Sequence, residues 1–179
     1  MTSSSGNIGR DRRDARWKAF IEAINEEANA GTDRGLVLVC GSMIDEALGE
    51  LLETFLIDHK DARELLNGAN KPLKGLSNRI NIAFALGLLR TVDRTALHVI
   101  RDIRNEAAHE ITFRLSNTKH LSRLEAAYKE ANIHDQDDHL RARLIHVVLW
   151  SISGLDVAAQ IFEKERRVVP GIYLLPGQG

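Results

Sequence analysis

The sequence predicts an all-α protein, a helical bundle of five to seven helices. Three observations lead there. Apolar residues recur at steps of three and four through most of the chain. The three prolines, at 72, 170 and 176, leave two long stretches free of the strongest helix breaker. No alternation of apolar and polar residues runs long enough to build a sheet. A length of 179 residues with 44% apolar content suits one domain with one core. With 5% aromatics, that core must consist mostly of Leu, Ile, Val and Ala.

The elements follow in chain order. Residues 1–10 read as a disordered tail, rich in Ser and Gly and without the apolar run of a signal peptide. A single helical domain should then span 11–167. The first helix is expected over 11–29, with Trp17, Phe20, Ile21 and Ile24 at helical spacing, and Gly31 ends it. Arg10, Arg12, Arg13, Arg16 and Lys18 form the one basic cluster. Its plain reading is a solvated helix start, and contact with nucleic acid is the alternative.

Asp33 is the expected N-cap of a second helix over 34–57. Its stripe comprises Val37, Cys40, Ile44, Ala47, Leu48, Leu51, Leu52 and Phe55. Gly35, Gly41 and Gly49 interrupt it and suggest close packing against a neighbour. A short helical turn at 63–66 precedes a loop at 67–75. Ser77 should cap a helix over 78–88, ended at Gly87. Asp93 should cap the next, over 94–113, with Leu97, Ile100, Ile103, Ala107 and Ile111 on one face. A helix over 118–131 and a linker at 134–138 lead to the last helix, 137–166. Its core candidates are Leu140, Leu144, Val147, Val148, Ser151, Leu155, Ala158 and Phe162. Residues 168–179 read as an extended tail in which Ile172, Tyr173, Leu174 and Leu175 can pack on the domain or on a partner.

Composition excludes several classes. The formal net charge of −1 lacks the basic excess of a dedicated duplex-DNA reader. Cys40, the sole cysteine, leaves no internal disulfide and no Cys-rich zinc site, and a reducing cytoplasm is the expected setting. No stretch of ~18 unbroken apolar residues predicts a membrane span. His134, Asp135, Asp137, Asp138 and His139 show no fixed ligand spacing. They read as a solvated turn whose acids favour the start of the last helix, so no metal is expected. His98, His120 and His146 are scattered and suggest no role. No Ser-His-Asp triad, P-loop or dinucleotide fingerprint is present, and no cofactor is expected.

Three segments resemble the mannitol operon repressor (MltR) family. They are Asp33-Arg34 to Leu52 with its Ile44-Asp45-Glu46-Ala47-Leu48, then Pro72-Leu73 with Leu76-Ser77 and Ile80 to Leu89, then Ile100 to His109. Together they cover about 80 residues in the family's order, counted from those bounds. The resemblance implies an all-helical transcription regulator without a helix-turn-helix. Such a protein would act through protein partners rather than by sequence-specific DNA reading.

The third segment also resembles the HEPN superfamily, through Arg104-Asn105-Glu106-Ala107-Ala108-His109. That resemblance implies a HEPN-like bundle, a homodimer that pairs two such motifs, and metal-independent RNA cleavage. His109 would be the base at the 2′-hydroxyl, Arg104 would hold the phosphate, and Asn105 would orient either group. On a regular helix Arg104 and His109 point about 140° apart. A shared site therefore needs a helix break near Ala108 or a second copy. Competing structural roles are an ion pair of Arg104 with Asp45 or Glu46, and a helix C-terminus capped by His109. Arg79, beside apolar positions, is expected to pair with Asp45 or Glu46.

Overall fold

The computed structural model describes residues 5–67, 72–131 and 139–164. Among these the chain forms seven α-helices and no strand: α1 (Ser5–Ala30), α2 (Asp33–Phe55), α3 (Lys60–Asn67), α4 (Leu76–Ala85), α5 (Thr91–His109), α6 (Leu121–Glu130) and α7 (Leu140–Lys164). A 3-10 turn at Leu115–Asn117 links α5 to α6. The predicted linker at 134–138 and tail at 168–179 lie outside the described residues.

The first correction concerns the N-terminus. α1 starts at Ser5, inside the segment expected to be a disordered tail. Arg13, on the early part of α1, reaches Glu50 at 3.2 Å and Glu163 at 2.8 Å.

Helix starts differ from expectation wherever a side chain has a better use elsewhere. Thr32, not Asp33, caps α2: its hydroxyl accepts the Gly35 N–H at 3.0 Å. Asp33 instead accepts the Leu115 N–H at 2.9 Å and lies 3.6 Å from Arg141 Nε, which ties the 3-10 turn and α7 to α2. Gly75, not Ser77, precedes α4, and the Ser77 hydroxyl accepts from Arg101 Nη1 at 2.8 Å. Asp93 is the third residue of α5, where its carboxylate accepts the Arg90 N–H at 2.9 Å as the second half of a capping box. α4 ends as expected at Gly87, whose φ of 74° closes a paired turn. There the Gly87 N–H donates to Phe84 O and the Leu88 N–H to Ala83 O. Ile111 lies beyond α5 and is 89% exposed, off the face it was expected to share.

α2 is the central helix. It packs against α7, α5, α1, α4 and α3, and its stripe from Leu36 to Phe55 is buried. α1 and α5 run antiparallel to it. Arg13 meets Glu50 near the opposite end of α2, and Arg34 Nε donates to Ala107 O at 2.9 Å. α2 and α7, the most extensively packed pair, run parallel: Asp33 faces Arg141 at one end, and Phe55 meets Phe162 edge-on at 5.1 Å at the other. The long helices at the centre are thus mixed in direction, α2 and α7 running one way and α1 and α5 the other.

α7 is apolar on more than its core side. The span Leu140–Glu163 is long and apolar enough to cross a membrane, and 44% of its most apolar window is buried inside the protein. The inner face includes Leu144, Val148, Ile152 and Leu155. On the outer face Val157 and Ile161 are 58% and 53% exposed. No single run announced this, because Ser151, Ser153 and Asp156 interrupt the apolar residues.

Candidate functional site

Arg104, Asn105 and His109 all lie on α5, which continues unbroken to His109 and is closed by the Glu110 N–H donating to Glu106 O at 3.0 Å. The helix break near Ala108 is therefore absent. Arg104 and His109 point about 140° apart within one chain, as regular helical geometry requires. Both are exposed. Arg104 Nη1 donates to Asn105 Oδ1 at 3.2 Å. Its stem crosses α2 at Gly41, where an added Cβ would stand 2.5 Å from Arg104 Cγ. His109 is the last residue of α5, a favourable place for a cation beside the carbonyl end of the helix.

Asp45 faces this region from α2. Arg79 Nη1 lies 3.2 Å from Asp45 Oδ1 and donates to the Asp45 carbonyl at 2.7 Å, while Arg79 Nε donates to Leu73 O at 2.8 Å. Gly49 makes room for this guanidinium, since a Cβ there would meet Nη1 at 2.9 Å. Burial pushes the Asp45 carboxyl up, against the opposing pull of Arg79 and Arg104. Glu46 is one position further round α2 and exposed, away from Arg79.

The N-terminal basic cluster divides in two. Arg10, Arg12 and Lys18 are exposed, but Arg13 and Arg16 are each only 6% exposed. Arg16 donates to Glu50 on α2 and to Asp156 on α7, and Asp156 also accepts from Trp17 Nε1. Arg13 bridges Glu50 and Glu163. This buried network joins α1, α2 and α7, so a wholly solvated helix start is the wrong description. The signal was present: Arg13 and Arg16 fall on the same stripe as Phe20 and Ile24. Their partners, up to 150 residues away, gave no local sign.

Cys40 is fully buried in the core, and burial pushes its thiol up to about 12. Among the described residues no group of three or more His, Cys, Asp and Glu side chains gathers as a metal site would. His134, Asp135, Asp137 and Asp138 lie outside them.

Among the described residues, two of the open clefts lie against α7. One, of about 510 Å³, lies between the end of α1 and the start of α7, lined by Asp33, Ser116, His139, Arg141 and Ile145 among others. The other, of about 460 Å³, runs along the outer side of α7 against the α4–α5 connection, with Leu88, Leu89 and Leu97 facing Trp150, Leu155 and Ile161. No protein-family model, curated protein or solved structure matches the chain.

Proposed function

We propose that the chain is a cytoplasmic helical regulator of MltR type, of the transcription-regulating kind, acting through protein partners and first of all through a second copy of itself. The observation that carries this reading is the apolar trough along α7, with Val157 and Ile161 open to solvent beside it. Trp150, Gly154, Val157 and Ile161 follow at steps of four, three and four, the spacing of a helix-pairing seam. A Cβ at Gly154 would meet nothing within 4 Å, so a partner helix can come close there. The rim charges Arg90 and Asp93 already neutralise each other, with Arg90 Nη2 2.8 Å from Asp93 Oδ1, so a second copy would meet no unpaired charge there.

The three segments that resemble the MltR family fall on α2, α4 and α5, which pack on one another. Direct reading of DNA has little support, since Arg13 and Arg16 are taken up by carboxylates and the net charge is −1. Sedimentation of the full chain should show a concentration-dependent dimer. Val157→Asp should make it monomeric with unchanged helical circular dichroism. A monomer at every concentration sinks the self-association reading.

A second reading is a HEPN-type, metal-independent endoribonuclease, a toxin or defence effector, using Arg104, Asn105 and His109. It is favoured by the exposure of both Arg104 and His109 on α5. It needs two copies to oppose one chain's Arg104 to the other's His109. RNA cleavage in EDTA, ending in 2′,3′-cyclic phosphates and lost in both Arg104→Ala and His109→Ala, is its expected signature. Intact RNA across structured and unstructured substrates would remove it.

A further inference from the structure

We propose that the outer face of α5 holds a compact anion site of phosphate type, built from Arg94, His98, Arg101 and Arg123. Residues 94, 98, 101, 102 and 105 form one stripe along α5, facing away from α2. α4 walls it on one side. Ser77 accepts from Arg101 there, and the Arg94 guanidinium covers the Phe84 ring at 4.7 Å. α6 walls it on the other with Arg123 and His120, whose Nη1 and Nδ1 are 3.3 Å apart.

The charges do not balance. Arg101 and Arg123 converge on one carboxylate, with Arg101 Nε 3.0 Å from Asp102 Oδ1 and Arg123 Nη1 2.7 Å from Oδ2. Arg94 adds a third guanidinium to the same surroundings. The next acid along, Glu106, is engaged by the Thr118 hydroxyl at 2.6 Å and lies 3.8 Å from His120 Nε2.

Two polar atoms are buried in this face without a protein hydrogen-bond partner, Arg94 Nε and His98 Nδ1, one helical turn apart. A buried N–H left in this way costs stability until something accepts from it. Burial holds the His98 imidazole below its ordinary range, and Arg101, Arg94 and Arg123 add to that against the opposing pull of Asp102. The ring is therefore neutral near pH 7, and its Nδ1–H tautomer can donate. Several charge-assisted donors gathered on one helix face suit a dianionic phosphate, free or as the monoester of a small molecule. A ligand here would give the regulator something to sense, independently of whether α7 pairs with a second copy.

The test titrates the full chain with inorganic phosphate and with phenyl phosphate at fixed ionic strength. Calorimetry reads affinity, and NMR follows the His98 ring. Saturable binding should move the His98 titration to higher pH. Arg94→Gln and Arg123→Gln should each weaken binding by about tenfold. Asp102→Asn, which removes the competing carboxylate, should tighten it. These changes run in opposite directions, so a general loss of fold cannot imitate both. Tighter binding of the ester would identify a small phosphorylated molecule, and equal binding would identify phosphate itself. The proposal is overturned by no saturation, by an equal response to chloride, or by single-stranded RNA that binds but is not displaced by phosphate.

Discussion

Cys40 shows how one residue's chemistry follows from its place. It is fully buried on α2, and the same burial that pushes its thiol up to about 12 also keeps reagents away. Thiolate is the reactive form, so native Cys40 should resist a disulfide reagent at neutral pH. Labelling should proceed only as fast as the protein opens, and should accelerate sharply through the urea transition. Fast labelling of the folded protein would contradict this placement. The role of Cys40 was legible in the sequence, because it falls on the apolar stripe of α2. Asp156 was not. It lies among Ile152, Leu155 and Ala159 on α7, but its use depends on Arg16 and Trp17, 140 and 139 residues away. Reading a charge on an apolar stripe as a buried pair would have found it.

Between elements, buried charge joins apolar contact in fixing α1. The network of Arg13, Arg16, Glu50, Asp156 and Glu163 holds α1 to both α2 and α7. Removing Asp156 leaves the buried Arg16 with Glu50 as its one carboxylate and Trp17 Nε1 without its acceptor, at a cost of about 3 kcal/mol. Asp156→Ala should therefore shift the urea midpoint by that amount of stability. Replacing both groups, as Arg16→Met with Asp156→Leu, should recover much of the loss, since two apolar side chains need no counterion. If the double variant is as unstable as the single, the pair is not what holds the helices. Helix interiors were readable in the same way: α2 was expected over 34–57 and occupies Asp33–Phe55. Its ends were less so. Thr32 and Gly75 precede α2 and α4 because Asp33 and Ser77 bond to Leu115 and Arg101, across tertiary contacts that periodicity does not encode.

Across the whole molecule, the parallel α2 and α7 bring the ends of the described chain together. Five to seven helices could be anticipated from period, but their directions could not, because the α2–α7 pairing spans four intervening helices. α1 then covers both members of that pair, and Phe20 and Ile24 enter the same core as Leu48 and Leu155. Deleting residues 1–30 would expose that core and strand Glu50 and Asp156, both largely buried beside Arg16, without a counterion. The expected product is not a trimmed but otherwise native bundle. It should keep much of its helical circular dichroism, bind a hydrophobic dye, and unfold in urea with a shallow, non-cooperative transition. A sharp transition with an undiminished slope would mean that α2 to α7 fold as a complete unit and that α1 is an added strap.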